Sequence, residues 1–164
     1  MRAGIILLLM SMLLQSCTYS FRSAAVDPSI TTYFVEQFTN NAPNAQPALS
    51  IRLTEDLKEK IRTESRLVYS EQDPAVEFKG VIVQYSVTAE APQPGEVTSI
   101  NRLTIATAVE YINHVEEERG WKKNFSFFFD FSTSTDLSQI EDQAIDEISQ
   151  QMMEDIFNAA FNDW

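Results

Sequence analysis

Histidine is almost missing from this chain: His114 is the only one in 164 residues. A hydrolase triad would have to use it, and no Gly-x-Ser-x-Gly motif accompanies it. His114 falls near a turn beside Glu116, Glu117 and Glu118, so it reads as an exposed strand-end residue. Hard cations need several oxygens at ordered spacing, often with a shaping glycine. Three adjacent glutamates point in different directions, so no metal site is expected there. Glycine is scarce at four residues, and no glycine-rich loop is present to cradle a phosphate. No carboxylate pair stands out as an acid and its base. These absences predict a non-enzymatic binding or assembly module with no catalytic residue and no cofactor.

Cysteine is as rare as histidine. Cys17 is alone, so no disulfide can form within the chain. Positive charge is also sparse, with 12 basic residues against 24 acidic ones and a net charge of −12. Phosphate-backbone binding needs a basic stripe, so a nucleic-acid partner is excluded. The excess acid serves solubility. Long apolar runs are missing beyond the first residues. The single run, Ile5–Leu14, is shorter than the ~20 apolar residues a spanning helix needs.

That run carries the most informative signal present. Arg2, the apolar run, small Ser16 and then Cys17 have the layout of a secretory signal peptide. Leu14-Gln15-Ser16-Cys17 narrows it to a bacterial lipoprotein signal, cut before Cys17, with Cys17 then acylated. Several acyl chains, at ~0.8 kcal/mol per buried methylene, make a durable anchor. Thr18, Tyr19 and Ser20 follow, with no aspartate that would retain the protein at the inner membrane. No acidic cluster marks it for surface display either. The expected organisation is a signal peptide over 1–16, an acylated tether over 17–29 and one domain over 30–164. The expected location is the periplasmic face of the outer membrane.

Within the domain, Ile30–Phe38 is β-branched and aromatic and reads as a strand, followed by a loop over Thr39–Pro43. Leu49, Leu53, Leu57 and Ile61 recur every four residues and predict a helix. Arg66–Ser70 reads as a short strand. Long strands are predicted over Val76–Ala89, Ser99–Val115 and Trp121–Phe131, and a final helix over Leu137–Phe161. Its apolar stripe is Ile145, Ile148, Met152, Ile156 and Phe157. The order β-α-β-β-β-α predicts an α+β two-layer sandwich. Its sheet is mixed, four- to five-stranded, with both helices on one face.

Hairpin tips at Gly95 and Glu118 fix a register. Val81, Val83, Tyr85 and Val87 then oppose Val109, Thr107, Ile105 and Leu103. Phe125, Phe127, Phe129 and Phe131 oppose Tyr111, Val109, Thr107 and Ile105. Alternation along each strand puts these on one apolar face, toward the helices. The other face carries Phe78, Gly80, Ile82, Gln84 and Ser86, then Arg102 to His114 at alternate positions, then Lys122, Asn124, Ser126, Phe128 and Asp130. Such a face is either solvated or a docking surface. Phe128 and Ile82, beside Ala106 and Ala108, are the candidate partner interface. Arg102 and Lys122 are candidate contacts for an anionic ligand, through charge-assisted hydrogen bonds. They lie at opposite ends of the hairpin and do not form one pocket.

Read in order, these segments resemble the LptE family of lipopolysaccharide-assembly lipoproteins, in its Bacteroidetes-type form. The likeness starts at Cys17-Thr18-Tyr19-Ser20-Phe21 and runs through Phe38-Thr39-Asn40-Asn41-Ala42-Pro43 and Leu53-Thr54-Glu55-Asp56-Leu57. It continues with Phe78-Lys79-Gly80, Asn101-Arg102-Leu103-Thr104-Ile105 and Phe127-Phe128-Phe129-Asp130-Phe131. It ends in Asp155-Ile156-Phe157-Asn158-Ala159-Ala160 and Trp164. Arg22 departs from it, standing where a glycine is expected after Phe21. The resemblance implies a two-helix, four-stranded sandwich. It also implies a protein that plugs the outer-membrane β-barrel LptD, helps it assemble and contacts lipopolysaccharide in transit. By strand position, Arg102 and Lys122 are the nearest counterparts of the family's basic contacts. The alternative is a generic periplasmic lipid- or ligand-binding lipoprotein, which requires a cavity between sheet and helices.

Overall fold

The structure is a computed structural model that describes residues 26–90 and 99–162. The signal peptide, Cys17, most of the tether and the expected Pro92–Gly95 turn lie outside the described residues.

The chain runs β1 (Thr32–Val35), β2 (Thr39–Asn40), α1 (Ala48–Glu64), β3 (Val68–Tyr69), β4 (Val76–Glu90), β5 (Ile100–Asn113), a 3-10 turn (Glu117–Arg119), β6 (Trp121–Ser132) and α2 (Leu137–Phe161). The sheet has six strands in the order β3-β1-β4-β5-β6, with β2 also paired to β4. β1 and β2 run parallel to β4 one after the other, and β3 runs parallel to β1. β4, β5 and β6 form an antiparallel meander. This is the α+β sandwich with a mixed sheet that the element order predicts. The sixth strand is the two-residue β2, in the segment read as a loop.

Both helices form where the periodicity places them. In α1, Leu49, Leu53, Leu57 and Ile61 are all buried, as are Ile145, Ile148, Met152, Ile156 and Phe157 in α2. Asp136 caps α2 by accepting the backbone N–H of Ser138 at 2.9 Å, which satisfies one of the helix's orphan donors. The helices are joined on their wet sides by ion pairs from Arg52 to Asp146 and from Lys60 to Glu154. Ser149 donates to Asp56 across the same seam. Burial pushes the Asp56 carboxyl up from its ordinary value, and the Ser149 bond partly opposes this.

A β-bulge corrects the expected register of β4. Gln84 to Glu90 pair with β5 as expected, with Tyr85 opposite Ile105 and Val87 opposite Leu103. Between Ile82 and Gln84 the register slips by one residue, so Gly80 opposes Val109 and Ile82 opposes Thr107. A slip of one residue exchanges the two faces. Phe78, Gly80 and Ile82 therefore point into the core, and Ile82 is 0% exposed. Val81 turns to the open face, and Val83, at the bulge, is 47% exposed. Val87 keeps its partner but is 43% exposed.

The β5–β6 pairing is offset from the expected one by four residues. Phe125 opposes Thr107, Phe127 opposes Ile105, Phe129 opposes Leu103 and Phe131 opposes Asn101. The reason is the connection: the 3-10 turn over Glu117–Arg119 centres the hairpin near Glu116 rather than Glu118. The offset is even, so every side chain keeps its expected face.

Gly80 is required by close approach. A Cβ there would sit 2.6 Å from the ring of Phe38, which crosses over β4 between β1 and β2. The Phe38 N–H donates to the Thr54 hydroxyl at 2.9 Å, tying this crossing to α1. The space between the layers is filled: Leu53, Leu57, Ile105, Ile148, Met152 and Ile156 are fully buried. The cavity that a generic ligand binder needs is occupied by side chains.

Candidate functional site

The helices cover one face of the β4–β6 meander and leave the other open. Its outward row includes Lys79 and Val81 on β4, then Gln84 and Ser86 beyond the bulge. On β5 it includes Arg102, Thr104, Ala106, Ala108 and Glu110. On β6 it includes Lys122, Asn124, Ser126, Phe128 and Asp130. These small residues make a shallow surface from which Phe128 stands out, 51% exposed.

Phe128 is held by its neighbours. It pairs with Thr104, and Arg102 lies diagonally across, opposite Asp130. Diagonal neighbours on one sheet face are within reach of long side chains. The Arg102 guanidinium carbon stacks 3.8 Å from the centre of the Phe128 ring. Its Nε and Nη2 donate to Asp130 Oδ1 and Oδ2 at 2.7 and 2.8 Å. This is a bidentate pair, and the Arg102 hydrogen bond holds the Asp130 carboxyl below its ordinary pKa. Glu90 lies 4.0 Å from Arg102 Nη1.

A second charged row crosses the sheet near its other end. Lys79, Glu110 and Lys122 stand side by side on β4, β5 and β6. Lys122 Nζ is 3.0 Å from Glu110, and its side chain is 75% exposed. Lys79 reaches Glu77 at 3.3 Å and Glu36 at 3.8 Å. These lysines, with Val81, Ala108 and Asn124, line a shallow hollow of about 360 Å³. Lys122 and Asp130 are eight steps apart along β6, about 27 Å at ~3.4 Å per residue. The two basic candidates are therefore separate, as their spacing predicts.

Ile82 does not share this surface, because the bulge puts it in the core. The sequence reading also missed a hollow of about 710 Å³ at the end of the sandwich, between Asp27, Ile30, Tyr111, Arg119, Trp121 and Phe161. Trp121 there donates its indole N–H to the Ala159 carbonyl at 3.1 Å and stacks on Tyr111 at 5.5 Å. Burial raises the Tyr111 pKa to about 12. Nothing in the local sequence brings these elements together.

His114 lies at the strand end, half exposed, with Nε2 3.6 Å from Glu77. Its backbone N–H donates to the Ala75 carbonyl at 2.9 Å, one bond beyond the end of the β4–β5 pairing. Among the described residues, no group of three or more His, Cys, Asp or Glu side chains is placed to hold a metal ion. Among the same residues no helix is long and apolar enough to cross a membrane.

Comparison with known proteins places this geometry. The chain is similar in structure to the hypothetical protein CT253 from Chlamydia trachomatis, with a TM-score of 0.53 at 7% identity over 80% of this chain and 96% of that one. It is also similar to XCC0632 from Xanthomonas campestris, with a TM-score of 0.50 at 10% identity over 84% and 91% of the two chains. At such identities the likeness shows the fold alone. No curated protein matches by sequence. The family model described as lipopolysaccharide-assembly, LptE, matches residues 30–160, nearly the whole sandwich. The chain belongs to the LptE lipopolysaccharide-assembly family.

Proposed function

We propose that this chain is the lipid-anchored, non-enzymatic partner of an LptD-type outer-membrane β-barrel. It plugs the barrel and helps it assemble for lipopolysaccharide transport to the outer leaflet. Cys17, freed by cleavage of residues 1–16, carries the acyl chains. Residues 17–29 tether the domain, over 30–164, to the outer membrane on its periplasmic side.

One observation carries the reading: in a member of this family, the uncovered sheet face presents an exposed phenylalanine, Phe128, stacked by Arg102. Aromatic residues and arginine are both enriched at protein interfaces. The open face is the proposed dock. Lys122 and Arg102 are the proposed contacts for lipopolysaccharide phosphates. Lys122 reaches a phosphate by swinging from Glu110, whereas Arg102 must exchange Asp130 for it.

The test is co-purification of the tagged, acylated protein from detergent extracts, with the captured barrel identified by mass spectrometry. An LptD-type barrel is expected with the native chain. Phe128→Asp is expected to lower its recovery while the chain still folds, as circular dichroism and a cooperative thermal melt will show. Recovery of no such barrel with the native chain overturns the proposal. Cys17→Ser is expected to abolish palmitate labelling and release the chain from membranes.

A further inference from the structure

We propose that Trp164 docks in the hollow at the end of the sandwich and clasps the chain's entry, Asp27 to Ile30, to the last turn of α2. The inference rests on the fold and does not require the barrel-binding reading.

The described residues end at Asn162, so Asp163 and Trp164 lie beyond them. The hollow of about 710 Å³ lies beside that point. Ala160 and Phe161 of α2 form one wall, Pro28 and Ile30 another, and Tyr111 and Trp121 a third. Its apolar lining is incompletely covered. Trp121, Ala159 and Ala160 pack against the core and yet stay only partly buried. Another apolar side chain seated here would take that surface out of water.

The occupant follows from the period of α2. Its buried stripe includes Met153, Phe157 and Phe161, each four residues after the last. Trp164 comes three residues after Phe161 and four after Ala160. Residues three or four apart lie on one helix face. One further turn therefore carries Trp164 onto the face that lines the hollow. The helix has not turned aside before that point. Asn162 keeps right-handed helical backbone angles, and its N–H donates to the Asn158 carbonyl at 2.8 Å. The reach is short, since two residues span at most about 7 Å. The chemistry also fits. An aromatic side chain buries ~150–250 Å², and tryptophan suits a site with an apolar floor and a wet rim. Tyr111 and Trp121 supply the floor, and Asp27 and Arg119 the rim.

The dock would close on the first described segment of the chain. Val26 and Ile30 are buried there. Arg66 donates to the Val26 carbonyl at 2.9 Å, and the Ile30 N–H to the Asp27 carbonyl at 3.0 Å. With Trp164 seated, a tether upstream of Val26 pulls on a segment that α2 also holds.

The test uses the full acylated chain in detergent micelles. Trp121 and Trp164 are its only tryptophans. Trp121→Phe leaves Trp164 as the sole fluorophore and keeps a ring in the wall. Its emission is expected to be blue-shifted from N-acetyltryptophanamide in the same detergent, with several-fold weaker quenching by acrylamide. Adding Ala160→Phe fills the hollow and should return both readings toward the reference. Circular dichroism checks that each variant folds. In the otherwise native chain, Trp164→Ser should raise acrylamide quenching of Trp121 and speed hydrogen exchange at the Ile30 amide. A Trp164 that emits and quenches like the free reference overturns the proposal. So does shielding that Ala160→Phe leaves unchanged, since the indole then sits in the micelle or elsewhere on the protein. Unchanged Trp121 quenching and Ile30 exchange in Trp164→Ser also overturn it, and a rise in both with Phe21→Ser would then name the tether as the occupant. None of these outcomes depends on whether the barrel co-purifies.

Discussion

Arg102 lies flat on Phe128, 3.8 Å from the ring centre, and spends two of its N–H donors on Asp130. The exposed ring is thus fixed by a side chain that is itself clamped. Cation–π and bidentate contacts together define one rotamer for Arg102. The open face is therefore preorganised around the exposed Phe128 ring.

This clamp has a pH signature. Its hydrogen bonds from Arg102 hold the folded Asp130 pKa below the ordinary 3.8. A carboxylate with a depressed folded pKa contributes stability that is present above the unfolded value and is lost as pH falls through the folded one. Asp130→Asn is expected to melt at a lower temperature than wild type at pH 7. The gap should close on acidification below about 3.8. Thermal melts from pH 7 to pH 2 measure it. Because the pair is partly exposed, added salt should shrink the neutral-pH gap.

Ile82 and Phe128 should behave as opposites. Ile82 is 0% exposed, so Ile82→Ala should lose about 2–5 kcal/mol through lost transfer and a cavity. Phe128→Asp changes a half-exposed site, losing the Arg102 stack and strand propensity, and should cost only about 1 kcal/mol. Urea denaturation of both variants checks this. Comparable losses would place both residues on the same face.

Gly80→Ala should destabilise by about 1–3 kcal/mol, because the new methyl meets the buried Phe38 ring and overpacks the core. Phe38 has β1 on one side and α1 below, so the ring has little room to yield. Adding Phe38→Leu should recover part of the loss. A double variant no more stable than Gly80→Ala would show that the methyl clashes elsewhere.

Thr107 sits at 0% exposure with a hydroxyl that has no hydrogen-bond partner. Thr107→Val keeps the shape and removes the stranded group. An unsatisfied buried hydroxyl costs ~1–3 kcal/mol, so the variant should be more stable than wild type. Valine also suits the middle of a strand. A higher urea midpoint with an unchanged slope is the expected readout.

Much of this fold was legible because its signals are local. Asp136 before an apolar period of three and four residues set α2 to the bounds observed. Leu49, Leu53, Leu57 and Ile61 did the same for the buried stripe of α1. Alternating phenylalanines assigned the faces of β6, and an even offset of its pairing left them intact. The lipobox and the order of motifs pointed to the family that residues 30–160 match.

What the sequence by itself determined, then, was the elements, their apolar faces, the acidic surface and the family. Those follow from capping, periodicity and composition, which act within a few residues. Tertiary structure alone decided the bulge between Ile82 and Gln84, which moved Phe78, Gly80 and Ile82 into the core. That placement fits a contact made from far along the chain: the ring of Phe38 fills the space that Gly80 leaves open. It also decided that Arg102 spans to Phe128 and that β6 ends the sheet unpaired among the described residues. Registers and edges depend on which strands meet, and that is settled only when the layers pack.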